Sequence, residues 1–293
     1  MEWDCQKLDR NVHRIKLRLE NSKDVARILL RSDAHHDNPH SDNALEKKHL
    51  DEALAGGCPI IDNGDAFCAM QGKWDRRKSK TDLKPEHLEG DYLDALVSTY
   101  AKFLEPYANN LCVMATGNHE TGILKHHETN LTTRLCERLN TMTGAKVYDG
   151  SYTGWVFFQI YSANTKTVRD SIKLWRTHGE GGGSPVTRGV ISTARRAVYL
   201  PDADIVIAGH THHEWQVPIQ RLRISSKGVV YQDEQLHVQL PSYKDEYKDG
   251  YSYGNWAVER GMPPKPIGAA WLEVWLENDR ACFQVVRASR STW

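Results

Sequence analysis

Residues 111–120 read Leu-Cys-Val-Met-Ala-Thr-Gly-Asn-His-Glu. The four apolar residues predict a short buried strand that stops at a tight turn around Gly117. Three polar side chains, Asn118, His119 and Glu120, follow the carboxyl end of this strand. Ligand sites of open α/β sheets form outside the carboxyl ends of their strands. The stretch therefore predicts a strand end that directs polar groups at a functional site rather than into a core.

The composition bounds the class of protein. A chain of 293 residues can bury a substantial core, and it shows no internal repeat or linker, so we predict a single domain over residues 1–293. The 38 basic and 38 acidic residues leave no net charge. Neither a general affinity for nucleic acid nor a general repulsion from it is therefore indicated, and any electrostatic steering must be local.

The cysteines and the N-terminal residues indicate in which cellular compartment the protein is expected. The six cysteines contain no Cys-x-x-Cys pair, which favours reduced thiols over disulfides or a zinc site. The N-terminus lacks a basic region followed by an apolar stretch, so no signal peptide is expected. No apolar run approaches the roughly 20 residues that a membrane span needs. We expect a cytoplasmic protein that does not contact a membrane.

The pattern along the chain predicts an α/β fold. In the first half, apolar runs alternate with amphipathic helical patterns, which favours a largely parallel sheet. We predict strands at 25–30, 58–61 and 111–115 and helices at 42–55, 86–107 and 130–143. Beyond residue 146 strands dominate, at 155–161, 171–175, 204–208 and, as a closing hairpin, 271–276 and 283–286. Residues 13–19 alternate basic and apolar, which predicts a half-exposed strand at a sheet edge.

Four other predicted strand ends carry comparable groups. In chain order they are Asp33-x-His35, Gly64-Asp65, His178, and Gly209-His210-x-His212. Each of these blocks alone is typical of an ordinary solvated turn. Together with the first stretch they form an ordered set of carboxylates, imidazoles and an amide, which are the residue types that ligate divalent metals.

The ordered set resembles the signature of the calcineurin-like metallophosphoesterase superfamily, which runs Asp-x-His, Gly-Asp, Gly-Asn-His-Asp/Glu, His, Gly-His-x-His. All five blocks are present and correctly ordered, and the resemblance covers about residues 25–215. It implies a four-layer α/β/β/α sandwich in which two mixed sheets are flanked by helices. The strands at 216–290 would then complete the second sheet.

The resemblance also implies a dinuclear metal centre. Its first metal would be held by Asp33, His35 and His212, its second by Asn118, His178 and His210, with Asp65 bridging both. A mixed nitrogen and oxygen donor set favours Mn, Fe or Zn over the all-oxygen sites of Mg or Ca. We expect two divalent metal ions, with Mn first and Fe, Zn or Ni as the alternatives.

The implied reaction is the hydrolysis of a phosphate ester by a hydroxide that bridges the two metals. His119, which carries no metal in this scheme, would donate a proton to the leaving oxygen or hold it in place, and an imidazole suits such work near neutral pH. Glu120 would be structural and would fix the backbone at the turn. Substrate-binding residues are not identified by the resemblance.

The substrate class is narrowed by departures from the family pattern. Gly64-Asp65 is followed by Ala66-Phe67-Cys68 rather than Arg-Gly, which argues against the branch of Ser/Thr protein phosphatases. The spelling Gly-Asp-x-Phe is similar to that of the SbcD-type DNA nucleases. We predict a phosphodiesterase that acts on nucleotides or nucleic acid; the alternatives are a phosphomonoesterase, such a nuclease, and a non-catalytic metal-binding scaffold.

A basic segment follows the second block. Residues 71–80 contain five Lys or Arg side chains, one Asp and Trp74. The segment is either a solvated loop or a flap, inserted near 68–86, that attracts phosphates and stacks a base. Both interpretations stay open at the level of the sequence.

Overall fold

The computed structural model describes residues 2–19, 23–70, 83–87, 91–162, 167–182, 184, 186–248 and 256–288. Two mixed sheets pack face to face. The seven-stranded sheet has the spatial order β1 (Glu2–Asp9), β2 (Val12–Leu19), β7 (Thr153–Ser162), β8 (Val168–Thr177), β9 (Ile205–Ala208), β11 (Val230–Gln239), β10 (Trp215–Ile224). The six-stranded sheet has the order β13 (Arg280–Arg287), β12 (Ala270–Glu277), β3 (Ala26–Arg31), β4 (Ile60–Asp62), β5 (Leu111–Met114), β6 (Tyr148–Asp149).

The main core lies between the two sheets, where alternate residues of each strand point inward. It includes Ile15, Leu17, Ile28, Leu30, Phe158, Leu174 and Ile205, all fully buried. A second core lies between the six-stranded sheet and three helices, α1 (Asn43–Ala55), α2 (Tyr92–Leu104) and α4 (Leu131–Thr143).

Helix α5 (Ile191–Tyr199) lies on the outer face of the seven-stranded sheet, where Tyr199 contacts Trp175 of β8. A short helix α3 (Asn118–His127) follows β5, and α6 (Trp256–Glu259) lies near the C-terminus. The predicted four-layer α/β/β/α sandwich with two mixed sheets is confirmed.

The helices predicted at 42–55 and 130–143 are confirmed, and each begins at a polar capping residue. Helix α1 is capped by Asp42, whose side chain accepts a hydrogen bond from the N–H of Leu45 at 3.0 Å, and α4 is capped in the same way by Asn130. Strands β3 to β6 are parallel. The hairpin of β12 and β13 closes the six-stranded sheet.

Other predictions differ from the structure. Strand β2 is not at an edge, because β1 and β7 flank it; its charged residues instead face outward from the sheet. The helix predicted at 86–107 is restricted to α2, with single 3₁₀ turns on either side. The strands at 216–290 do not all join one sheet: β10 and β11 extend the seven-stranded sheet, whereas β12 and β13 pair beside β3 in the other. Strand β1 and the helices α3 and α5 were not predicted.

The predicted flap falls largely outside the described residues, since residues 71–82 are not among them. Within the described ranges, no helix combines the length and the apolar character required to cross a membrane.

Candidate metal centre

The five blocks lie together where strands of both sheets end. Backbone hydrogen bonds join the loops that follow those strands: Asp33 N donates to Gly64 O at 2.8 Å, and His35 N to Asp65 O at 3.0 Å. On the other sheet, Gly209 N donates to His178 O at 2.8 Å. Backbone hydrogen bonds alone therefore join the first block to the second and the fourth block to the fifth.

The predicted ligands lie in tight turns rather than in extended backbone at the ends of the strands. Five of the seven adopt left-handed backbone, with φ of 53° at Asp33, 43° at His35, 52° at Asp65, 73° at His210 and 56° at His212. We expected Asp33 and His35 to converge because alternate residues of an extended chain share a side, and that reason is wrong. Such conformations cost about 1–3 kcal/mol each for residues other than glycine and concentrate at functional sites.

Two glycines of the blocks allow the loops to approach one another closely. A Cβ atom on Gly117 would overlap the Oδ1 atom and the backbone nitrogen of Asp65, and one on Gly209 would overlap Ser32 Oγ and Asp33 Oδ2. Both glycines are required by close packing at the ligands themselves.

The first cluster of donor atoms comprises Asp33, His35 and His212. The Nε2 atoms of the two histidines are 3.2 Å apart, and Asp33 Oδ1 lies 3.3 Å from His212 Nε2 and 3.9 Å from His35 Nε2. Ser32 Oγ donates to Asp33 Oδ2 at 2.5 Å and orients the carboxylate. The three atoms surround a point that a divalent cation can occupy.

The second cluster comprises Asp65, His178 and His210, together with Asn118. His178 Nδ1 lies 3.0 Å from Asn63 O, and His210 Nε2 lies 2.9 Å from Gly181 O. Since carbonyl oxygens only accept, these nitrogens carry the protons of the neutral rings, and the other nitrogen of each ring presents a lone pair.

Those lone pairs meet the oxygen of Asn118. Asn118 Oδ1 lies 2.7 Å from His210 Nδ1 and 3.1 Å from His178 Nε2. Three acceptors that face one another in neutral form can be satisfied together by a cation. The donor set of the second cluster therefore fits a divalent metal.

Asp65, a member of the second cluster, also lies near the first. Its Oδ2 atom is 3.1 Å from His178 Nε2 and 3.9 Å from His35 Nε2, and its Oδ1 accepts from the backbone N–H of His119 at 3.0 Å, in the first turn of α3. The positive end of a helix favours a carboxylate at this position. All seven predicted ligands are thus brought together, and their role as ligands stays a prediction.

The electrostatics of the clusters are strongly coupled. Burial alone would raise the pKa of Asp65, but the charges of His178 and His119 hold it well below its usual range. Burial would lower the pKa of His178, yet the carboxylates of Asp65 and Asp33 raise it to about 10. Without a bound cation, a proton on His178 thus supplies the positive charge that the two buried carboxylates need.

His119 lies next to Asp65 without joining either ligand cluster of the predicted scheme. Its Nδ1 atom is 2.5 Å from Cys68 O, which fixes the proton on that nitrogen and directs Nε2 toward the site, 3.8 Å from Asp65 Oδ2. The side chain retains 14% exposure. His119 also forms, with His35 and Cys68, a third group of donor atoms close to one another.

Glu120 is structural, as expected. Its buried carboxyl accepts hydrogen bonds from the backbone N–H groups of Gly117 at 2.7 Å, Phe67 at 2.9 Å and Asp65 at 3.2 Å. It thereby ties the second block to the third. Burial, reinforced by the charge of Asp65, raises the pKa of Glu120 to about 8.

A buried polar network beneath the site was not predicted from the sequence. Arg31, at the end of β3, donates to Asp62 Oδ2 at 2.7 Å, to Glu46 Oε1 at 2.9 Å and to the Tyr100 hydroxyl at 2.5 Å. His36 also joins the network, since its Nδ1 atom lies 2.9 Å from Glu46 Oε2. The network links β3, β4, α1 and α2 directly below the ligand loops.

Comparisons with known proteins give distant structural similarity only. No family model and no curated protein sequence matches the chain. It is similar to a predicted phosphoesterase from Streptococcus pneumoniae (12% identity, 91% of each chain, TM-score 0.33) and to Vacuolar Protein Sorting 29 from Cryptosporidium parvum (13% identity, 90% of this chain and 98% of that one, TM-score 0.34). It is also similar to GAP50, the anchor in the inner membrane complex of Plasmodium (12% identity, 90% and 85%, TM-score 0.47).

The two mixed sheets with flanking helices agree with the fold that the sequence resemblance implies. At these identities and TM-scores, the comparisons carry no argument about the family, the reaction or the substrate of this chain. The function proposed below rests on the site itself.

Proposed function

We propose that the chain is a dinuclear metal-dependent phosphoesterase. The observation that carries the proposal is the convergence of imidazole nitrogens and oxygens in two adjacent clusters, above all at Asn118 Oδ1 between His178 and His210. One cation would be held by Asp33, His35 and His212 and the other by Asn118, His178 and His210, with Asp65 between them. The mixed donor set favours Mn, Fe or Zn, and we take Mn as the first to test.

The two cations, when bound, supply an activated water molecule and neutralise charge on the phosphoryl oxygens. Other residues of the chain position the ligands and the proton donor. Glu120 and the glycines hold the ligand loops together, and the carbonyls of Asn63 and Gly181 fix the tautomers of His178 and His210. His119, with its Nδ1 proton on Cys68 O, presents Nε2 to donate a proton to the leaving oxygen.

For the substrate we propose a phosphodiester of a nucleotide or nucleic acid, with a phosphomonoester as the alternative. The Arg-Gly of protein phosphatases is absent after Asp65. Phe67, which suggested the SbcD-type nucleases, is fully buried against Tyr100 at a ring separation of 5.5 Å. It serves the core and adds no support for a nuclease over any other diesterase.

Hydrolysis of bis-p-nitrophenyl phosphate by chelated and Mn-reloaded protein tests the proposal, with p-nitrophenyl phosphate in parallel. We expect Mn-dependent turnover, faster on the diester. His119→Ala should retain metal and lose about 10²–10⁴-fold in rate on an ester with a poor leaving group, whereas Asp65→Asn should lose both metal and rate. The absence of metal-dependent turnover on any diester or monoester would refute the enzyme proposal.

A further inference from the structure

The thiol of Cys68 lies beside the proton donor and one predicted ligand, and the proposed reaction makes no use of it. The Cys68 sulfur and one nitrogen from each of the His35 and His119 rings all lie within 4.8 Å of one another. The two rings meet edge to face, with their centroids 4.9 Å apart. Cys68 and His35 are buried, whereas His119 is partly exposed. The three side chains therefore form a compact group of one sulfur and two nitrogen donors, and solvent reaches one of its members.

Hydrogen bonds fix both Cys68 and His119 in this arrangement. The N–H of Cys68 donates to Asp37 Oδ1 at 2.6 Å, and the N–H of Ala69 donates to Asp37 Oδ2 at 2.9 Å. The Cys68 carbonyl accepts the Nδ1 proton of His119, which leaves the lone pair of that ring on Nε2. Asn38 Nδ2 lies 3.3 Å from the Cys68 sulfur and donates to it, a contact that favours a thiolate. The sulfur and the His119 ring are thus positioned before any cation binds.

His35 can serve this group or the first ligand cluster, but not both at once. Its Nε2 atom lies 3.2 Å from His212 Nε2 and 3.9 Å from Asp65 Oδ2. Its Nδ1 atom is buried without a hydrogen-bond partner among the residues that the structure describes. A neutral imidazole has a single lone pair, on one of its two nitrogens. A cation held by His35 and Cys68 therefore competes with a cation in the first ligand cluster.

The donor set of this group selects a different cation from Mn. A thiolate with two imidazoles suits Zn²⁺ and other thiophilic ions, whereas Mn prefers oxygen ligands. At Zn–S and Zn–N distances of about 2.3 and 2.0 Å, tetrahedral donors lie roughly 3.3–3.8 Å apart, so the group has to contract by at most about 1.5 Å. Burial raises the pKa of the Cys68 thiol to about 12. The bound cation must therefore displace the thiol proton to solvent, which requires an ion with a high affinity for thiolate.

We infer that Cys68, His119 and His35 form an inhibitory site for Zn²⁺. A zinc ion at this site takes the lone pair of His119 Nε2, so that the ring no longer carries a proton to the leaving oxygen, and it withdraws His35 from the first ligand cluster. The inhibitory effect rests on the proposed function, whereas the binding of the ion does not. Excess Zn²⁺ then suppresses the reaction that Mn supports.

Cadmium is the probe, because it binds thiolates as zinc does and gives an ultraviolet thiolate-to-metal charge-transfer band. Chelated wild type, Cys68→Ser and Cys136→Ser are each titrated with Cd²⁺. Cys136 is the matched control, since it is buried to the same degree and belongs to no such donor group in the described part of the chain. We expect Cys136→Ser to keep the amplitude of the wild-type band and Cys68→Ser to lose amplitude. An equal band in wild type and Cys68→Ser overturns the site.

The histidines of the site are tested by affinity. His119→Ala should keep the sulfur and weaken Cd²⁺ binding by at least about tenfold, since loss of an outer-shell partner alone costs 10–100-fold. Saturation of the wild type with Mn²⁺ needs no substitution and should shift the midpoint of the Cd²⁺ titration upward by about 5–150-fold, the usual range of coupling between two sites. An unchanged affinity in His119→Ala, or an unchanged midpoint with Mn²⁺, overturns the three-residue site.

The inhibitory effect is measured on bis-p-nitrophenyl phosphate, with each variant compared with its own rate in Mn²⁺ alone. Added Zn²⁺ should slow wild type and Cys136→Ser more than Cys68→Ser. If no ester is hydrolysed, the Cd²⁺ titrations still decide whether the site exists. If the ester is hydrolysed and Zn²⁺ slows all three proteins equally, the inhibitory site is overturned and the proposed function stands.

Discussion

Substitution of Gly117 by Ala isolates the role of close packing at the metal centre. Gly117 has φ of −103°, which alanine adopts without strain, so the effect of the added methyl group is steric. That methyl group would overlap the backbone nitrogen and the carboxylate of Asp65, so either the loop or the proposed bridging ligand must move. Overpacking of this kind costs about 1–3 kcal/mol, or about 2–6 °C in melting temperature for a chain of this size.

Gly122 provides a control in the same helix, because a Cβ atom there meets no atom within 4 Å. Gly122→Ala should be neutral or stabilise α3 by up to about 1 kcal/mol. Melting curves and Mn titrations of both variants are the assay. We expect Gly117→Ala to have a lower melting temperature and to bind Mn at least about tenfold more weakly, as when residues that orient ligands are lost. Gly122→Ala should match the wild type in Mn affinity. Wild-type stability and Mn affinity in Gly117→Ala would refute the account of the close approach.

Two further predictions concern buried groups away from the ligands. His13 is fully buried, and burial lowers its pKa to about 4; because the unfolded chain takes up a proton near pH 6.5 and the folded chain does not, stability should fall by about 2 kcal/mol as pH drops from 7 to 5. His13→Phe should reduce that fall in urea denaturation at pH 7 and pH 5, and an unchanged pH dependence would contradict the assignment. Arg31→Met removes the cation between Asp62 and Glu46, and leaving two buried carboxylates without it should cost about 3–5 kcal/mol in urea denaturation; a cost below 1 kcal/mol would show that the network contributes little.

Helices could be predicted from the sequence where contacts between residues close in the chain determine them. The caps Asp42 and Asn130 and the helices that they begin follow from a polar side chain placed before an apolar stripe. The helix α3 was missed because its first turn is occupied by Asn118, His119 and Glu120, whose polar character gives no amphipathic signal. Strand β2 was misplaced at an edge, since alternation reports which faces are solvated but not which strands lie alongside.

The same distinction between local patterns and long-range contacts applies to the site. The convergence of the blocks could be predicted because their order along the chain resembles the signature of a known superfamily. The groups that orient the ligands could not, since Asn63 is 115 residues from His178 and Gly181 is 29 residues from His210. Contacts of that kind arise from the packing of the sheets, and no local pattern around Asn63 indicates them.

The central claim is that two cations occupy two adjacent clusters with Asp65 between them. An anomalous difference map from crystals grown with Mn²⁺ tests it most directly. We predict two peaks roughly 3.5–4 Å apart, one in contact with Asp33, His35 and His212, and the other with Asn118, His178 and His210. A single peak, or peaks remote from these side chains, would contradict the account.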